Sequence, residues 1–391
     1  MSNRLTAVPA IAEGPPRAAE FFAGVGLARL GLERAGFRVV WSNDIEADKK
    51  AMYVGHFADE EGTHHFELGD VGEVAGDDMP GGLSLAWASS PCTDLSLAGS
   101  RAGLSGAESG SFWNFTRVIE EMGPQRPPVI TLENVVGLAT SHGGDDLAAA
   151  IAEMNRLEYS VDVVTIDARR FIPQSRPRLF LIGSVEVPTP DPRAVSELRP
   201  DWLQGPYNDT SLITHRALLP ELPPPLTSGL GELAEKFPSA DSRWWNAGRT
   251  ADFLSSLSEI QAQRLRMLRS GRTISYRTAY RRTRHGAPVW EIRADDVAGC
   301  LRTARGGSSK QAIVKAGRGQ VSVRWMTPLE YARLMGAGYY RLDGVRDNQA
   351  LFGFGDAVAV PAVEWLAENY LMPLIRGHFE FSKGRGAAKG A

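Results

Sequence analysis

The chain has 391 residues, 43% of them apolar and 23% charged, a balance that supports two domains with buried cores and excludes a disordered or fibrous protein. Its two cysteines, Cys92 and Cys300, exclude a disulfide framework and fit a reducing compartment. The net charge of −3 conceals an asymmetry, because between Arg243 and Arg324 about 17 basic residues stand against about 5 acidic ones, and most of the basic ones are arginine, whose planar fork suits phosphate and guanine.

No apolar stretch reads as a membrane span, and the N-terminus around Glu13-Gly14-Pro15-Pro16 has no signal-peptide core, so a cytoplasmic location is expected. Residues 1–16 read as a flexible tail. Ala18 to Phe22 reads as a first buried strand. It runs into Ala23-Gly24-Val25-Gly26, and a helix follows through Leu30, Leu32 and Ala35. A second strand, Phe37 to Trp41, ends at Ser42-Asn43-Asp44, and a third, Phe66 to Leu68, ends at Gly69-Asp70. Leu83 to Trp87, Val129 to Leu132, Val161 to Ile166 and Leu179 to Ile182 continue the series, with helical patterns between most of them. Strands alternating with helices predict an α/β fold with a doubly wound, mostly parallel sheet.

The alternation stops near Gly183, at the Pro-rich Val187 to Pro192, and a second Pro-rich stretch spans Pro220 to Pro225. The basic region beyond, broken by Gly271, Gly306, Gly307 and Gly317, reads as a second, smaller domain of irregular β-structure with long loops. Thr327 and Pro328 look like the N-cap and first residue of a helix. Ala357 to Leu371 reads as a closing helix, and residues 382–391 as a second flexible tail. The expected domains are 17–187, 188–351 and a closing segment, 352–381, that returns to the first.

Ligands of open α/β sheets bind outside the carboxyl ends of the strands. There, the glycines of Phe22-Ala23-Gly24-Val25-Gly26 let a ligand approach the backbone. Asp44 and Asp70 end the next two strands, where carboxylates accept ribose hydroxyls; together they favour an adenosine-containing ligand, although Asp44 can equally cap a helix beginning near Ile45. The run to Trp87 ends at Pro91-Cys92, followed by a loop rich in glycine. A thiol at such a strand end is a candidate nucleophile, or simply a small buried hydrophobe. Glu133 follows another apolar strand. In Gln174-Ser175-Arg176-Pro177-Arg178 both arginines fall on one side if the segment is extended, and either can be a structural ion-pair partner.

Phe22-Ala23-Gly24-Val25-Gly26, Pro91-Cys92, Glu133-Asn134-Val135, Gln174-Ser175-Arg176-Pro177-Arg178 and Gly355-Asp356-Ala357-Val358-Ala359-Val360-Pro361 occur in that order. Together they resemble the DNA cytosine-5 methyltransferase family over almost the whole chain. The basic segment falls where that family keeps its target recognition domain, and Arg302 to Gly307 resembles part of it.

The resemblance implies S-adenosyl-L-methionine as cofactor, S-adenosyl-L-homocysteine as product, and a cytosine flipped out of duplex DNA. By motif position Phe22, Ala23, Gly24, Val25 and Gly26 line the cofactor, Asp44 and Ile45 its ribose side, and Asp70 and Val71 its adenine. Pro91 meets it near the sulfonium, and Asp356, Ala357 and Val358 close the site. Cys92 adds to C6 of the base. Glu133, protonated or sharing a proton, bonds N3, while Arg178 contacts O2 and orients Glu133, with Arg176 as the second candidate. Arg101, in the loop after Cys92, and Thr303, Arg305, Gly306 and Gly307 are candidate DNA contacts. No metal and no membrane are implied. A monomer is expected, with a cognate restriction endonuclease as a cellular partner. Three positions depart from the family pattern: Thr93-Asp94, Asp44 in place of the usual Glu, and Asp356 in place of the common Asn, which removes an amide donor. The alternatives are an RNA (tRNA) cytosine-5 methyltransferase, a non-catalytic DNA-binding homologue, and a nicotinamide-dependent oxidoreductase.

Overall fold

The computed structural model describes residues 14–58, 61–91, 111–284, 286–302 and 310–377. The chain divides into two compact units, one drawn from Met1–Ile166, Pro177–Leu222 and Ala362–Ala391, the other from Asp167–Arg176 and Pro223–Pro361.

The first unit is built on seven strands: β1 (Arg17–Phe21), β2 (Arg38–Asp44), β3 (His65–Leu68), β4 (Leu85–Ala88), β5 (Val129–Val135), β6 (Ser160–Asp167) and β7 (Pro177–Ser184). They form one sheet in the order β3-β2-β1-β4-β5-β7-β6. The pairs β2–β3, β1–β2, β1–β4 and β4–β5 are parallel, whereas β7 enters antiparallel to β5. All four residues of β4 and the first six of β5 are buried. Successive strand residues point to opposite faces, so both faces of the sheet are covered, which is why these strands read as continuous apolar runs. Helix α1 (Leu27–Arg34) follows β1 and α2 (Ala47–Phe57) follows β2. Helix α3 (Ser111–Glu121) buries Phe112, Phe115, Val118 and Ile119, spaced to share one face, and α4 (Asp145–Arg156) buries Leu147, Ala150, Ile151 and Met154.

The unit is closed by a charged cluster. Asp162 on β6, wholly buried, receives Arg199 through two bonds of 2.8 and 2.5 Å, Tyr207 at 2.7 Å, Tyr370 at 2.8 Å and the Ala217 amide at 3.0 Å. Burial alone would raise its pKa; the Arg199 guanidinium and the Tyr207 hydroxyl bond outweigh it and hold the carboxyl below its ordinary value. This cluster corrects the expected boundary at 187/188, because it fastens residues 199–217 to the first unit. The terminal helix returns to the same unit: Val363 packs on Gly31 of α1, and Arg34 pairs with Glu364 at 3.0 Å.

In the second unit β8 (Ser275–Arg284), β9 (Ala287–Ile292), β10 (Ala312–Gly317) and β11 (Gln320–Trp325) form an antiparallel sheet in the order β11-β10-β8-β9. Its regularity departs from the irregular structure expected. One face packs Ala279, Trp290, Ile292, Val314 and Val323 against Phe253 and Leu265, with Trp245 and Trp325 alongside. These large rings supply the core that the Arg-rich sequence obscures. Thr327 caps the helix Pro328–Leu334, with Glu330 completing the capping box and pairing with buried Arg324 at 2.7 and 2.5 Å.

The expected closing helix from Ala357 is interrupted. A helix ends at Asp356, and the next begins only at Val360, whose amide donates to Met335. Residues 352–361 accordingly belong to the second unit. The stretch Asp347–Gly377, helical on both sides of that break, contains a window long and apolar enough for a membrane span, where none was expected; 72% of that window is buried in the fold, as in a core helix. The expected tails lie largely outside the described residues.

A Cβ added at Gly31 would sit 2.6 Å from Val363 Cβ and 2.9 Å from the Glu364 amide. Gly31→Ala is therefore expected to destabilise the protein by about 1–3 kcal/mol through overpacking, read as a lower urea midpoint at unchanged slope.

Candidate active site

At the carboxyl end of β1 the chain turns through left-handed backbone at Phe22, Gly24 and Gly26, with φ of 57°, 58° and 76°. For phenylalanine this conformation costs on the order of 1–2 kcal/mol, so the surroundings must hold it. They do: Ala23 N–H donates to Asn43 O and Gly26 N–H to Ala23 O, both at 2.8 Å, while Gly24 N–H donates to Asp44 Oδ2 at 2.8 Å. The two glycines differ in purpose. A Cβ at Gly26 would meet Phe57 at 2.4 Å and Tyr53 at 2.7 Å, so Gly26 lets α1 pack on α2; a Cβ at Gly24 would meet nothing, leaving open space beside the turn. Ala23 and Val25 bury their side chains, so a ligand here would meet only their backbone.

Asp44, buried at the end of β2, also accepts the Glu46 amide at 2.9 Å through Oδ1. It thus holds the glycine turn and caps the following turn together, and each oxygen keeps a further lone pair. The next residue, Ile45, is 66% exposed, an apolar surface at a strand end. Asp70 follows β3, exposed, with Oδ1 accepting the Gly72 amide at 2.8 Å, and Val71 packs into the core. Carboxylate acceptors, an apolar face and an open backbone turn are a set able to hold an adenosine-type ligand.

Between β1 and β5, β4 leads to Ser90 and Pro91. Asn134 Nδ2 donates to Ser90 Oγ at 3.1 Å and to Ser90 O at 3.4 Å, while Asn134 Oδ1 accepts the Val135 amide at 2.8 Å. Asn134 therefore pins the segment that enters Pro91-Cys92. Sequence reasoning quoted its motif without giving it this role. Cys92 and Arg101 lie outside the described residues, as do Thr303, Arg305, Gly306 and Gly307.

Glu133 on β5 is buried, and Arg178 on β7 reaches it, Nε to Oε1, at 2.9 Å. The antiparallel register sets Val135 opposite Arg178 and Glu133 opposite Phe180, so the pair meets on the diagonal. Arg176 has another occupation. Its Nη1 donates to Leu301 O at 2.8 Å and to Cys300 Sγ at 3.2 Å, and its Nη2 to the carbonyls of Gly355 and Ala357. It thus brackets Asp356 rather than serving Glu133. Gln174 works alongside, accepting the Leu301 amide at 3.0 Å and donating to the Leu334 carbonyl. Asp356 itself is exposed at a helix end; Ala357 is half-buried and Val358 buried.

Glu20, buried on β1, accepts the Arg29 amide of α1 at 3.1 Å, with Ser42 Oγ at 3.5 Å. Burial pushes its carboxyl up to about 8, against the pull of the Arg29 amide and guanidinium.

A family model of C-5 cytosine-specific DNA methylases matches residues 17–371. The chain belongs to that family. M.AgeI, a Type II methyltransferase of Thalassovita gelatinovora, is 32% identical over 177 residues, 44% of this chain and 40% of its own. M.DsaV of Dactylococcopsis salina, also a Type II methyltransferase, is 26% identical over 369 residues, 93% of this chain and 89% of its own. The chain spans about half the length of several relatives, including M.HaeII and M.Bsp6I. Among solved structures, the S. pombe Dnmt2 methyltransferase superposes with a TM-score of 0.56 at 15% identity, covering 92% of this chain and 99% of that one. A putative DNA modification methyltransferase from an E. coli prophage gives 0.56 at 17% with the same coverage. Both share the fold: a mostly parallel central sheet with a separate antiparallel one.

Because the Glu20 carboxyl holds its proton more tightly when folded than when unfolded, stability falls as pH rises from the ordinary carboxylate range towards 8, by up to about 1.4 kcal/mol per pH unit. Glu20→Gln is expected to remove this loss and to exceed the parent in urea midpoint at alkaline pH. Parallel pH profiles for the two proteins would refute the assignment.

Proposed function

We propose that this chain is a sequence-specific DNA cytosine-5 methyltransferase that methylates C5 of a cytosine flipped out of duplex DNA, through a covalent bond between Cys92 and C6. The observation that supports it most is the Glu133–Arg178 pair, with Glu133 on β5, next to the strand that leads into Pro91-Cys92, and Arg178 on β7 beyond it.

Cytosine C5 is a poor nucleophile. Addition of the Cys92 thiolate at C6 moves the C5–C6 electron pair towards C5 and makes it enamine-like. A free thiol has a pKa of about 8.5, so the site must favour the thiolate or accept its proton during attack. Charge that builds on the ring is met by Glu133 at N3 and Arg178 at O2, and the 2.9 Å bond between them fixes their orientation before the base arrives. Asn134 steadies the strand exit through Ser90. When the C5 proton has left, the Cys92–C6 bond breaks and the thiolate is released.

S-adenosylmethionine, when bound, supplies an electrophilic methyl group. Phe22, Gly24, Asp44, Ile45 and Asp70 would hold it, with Asp356, Ala357 and Val358, and Arg176 would steady the last three through the flanking carbonyls. Flipping costs a few kcal/mol of unstacking, which contacts between Arg101 and the DNA would offset. The arginine-rich second unit favours duplex DNA over tRNA. We place the enzyme in the cytoplasm as a monomer, within a Type II restriction-modification pair whose endonuclease reads the same site.

Cys92→Ser is expected to abolish methyl transfer to duplex DNA while leaving S-adenosylmethionine affinity near the parent value by calorimetry. DNA carrying 5-fluorocytosine should trap Cys92 in a stable adduct visible by mass spectrometry, and its absence under turnover conditions would sink the mechanism. Arg178→Lys should lower kcat by about a hundredfold or more, the scale of one lost transition-state donor. Labelling of tRNA alone in a tritium-transfer assay would overturn the choice of substrate.

A further inference from the structure

At one end of the antiparallel sheet of the second unit, three arginines from separate segments come together. Arg269 lies in the last turn of the helix Glu259–Ser270, Arg272 in the loop before β8, and Arg318 at the tip between β10 and β11. The backbone knits them. Arg318 N–H donates to Gly271 O at 2.7 Å and Gly319 N–H to Arg269 O at 2.9 Å. The close approach is demanding: a Cβ at Gly317 would stand 2.2 Å from Thr273 O, and Arg318 adopts a left-handed φ of 53°. Two side chains are then fixed by Nε alone, Arg269 to Gly319 O at 2.7 Å and Arg318 to Arg272 O at 3.2 Å. Among the described residues their Nη groups take no partner, and the Arg272 side chain makes no hydrogen bond or ion pair.

Several other arginines of the unit differ. Arg243, Arg266, Arg282, Arg284 and Arg293 each face an aspartate or glutamate within 3.1 Å. No carboxylate among the described residues pairs with Arg269, Arg272 or Arg318, and all three are exposed. Like charges held together by rigid backbone repel, and a polyanion would relieve the repulsion. Guanidinium forks pinned at Nε and open at Nη suit phosphate oxygens. The position also matters. Thr303, Arg305, Gly306 and Gly307, the candidate DNA contacts of the resemblance, precede β10 in the sequence, whereas the three arginines gather at its far end.

We propose that Arg269, Arg272 and Arg318 form a phosphate grip that holds the backbone of duplex DNA outside the target site. This rests on DNA being the partner, and it adds a contact that governs retention on DNA rather than chemistry. The test measures affinity for a long duplex against KCl concentration, by fluorescence anisotropy of the full chain, for the parent and for the triple Arg→Gln variant. Each lost phosphate contact makes the log–log slope shallower by about 0.9, so a change of roughly 2 to 3 is expected. KM for DNA should rise while kcat at saturating DNA stays at the parent value. Should the triple variant fail to fold, Arg272→Glu should still weaken binding, because the Arg272 side chain makes no hydrogen bond or ion pair among the described residues. An unchanged slope in every variant, or a fall in kcat with KM unchanged, overturns the grip. A parent that transfers no methyl group while the slope difference persists would instead overturn the enzymatic reading and leave the grip standing.

Discussion

The antiparallel entry of β7 beside β5 is the constraint on which the candidate site turns. In a wholly parallel sheet the start of that strand would lie at the amino end, away from ligands. Reversal brings Pro177 and Arg178 to the carboxyl edge, where Glu133 already stands. The register then does the rest. A slip by one residue would send Arg178 to the other face of the sheet and leave a buried carboxylate without its cation, a costly arrangement. The Glu133–Arg178 pair therefore depends on a pairing of backbones rather than on local sequence.

A division of labour follows from the adjoining residues. Arg176 and Arg178 are separated by a single proline, yet one supports carbonyls around Asp356 and the other orients Glu133. Gln174 joins the first task. The five-residue motif is thus a seam, its first half assembling the second unit and its second half completing the first. Asp44 is economical in a similar way, since one carboxylate fixes the glycine turn and the turn after β2.

Much of the first unit was legible because buried parallel strands leave unbroken apolar runs, and their ends carry Gly24, Asp44, Asp70 and Glu133 in plain view. The roles of Arg176 and Arg178 were harder to separate, because alternation gives the side a residue faces but not what waits there. Asp162 was invisible in an apolar run, since its partners Arg199, Tyr207 and Tyr370 are distant in sequence and become meaningful only when assembled. The sheet of the second unit was hidden by its charge: β8 alone carries four arginines, and the tryptophans that make its core come from strands and connecting segments alike.

The clasp on Asp162 has a bearing on how the protein is made. Tyr370 lies 208 residues beyond Asp162, so the chain must grow that far before the cluster can close. Until then Asp162 has Arg199 and Tyr207 but lacks the Tyr370 hydroxyl, and Gly31 lacks the Val363 that packs on it. The first unit can therefore complete its packing only after residues 223–361 of the second unit have been made.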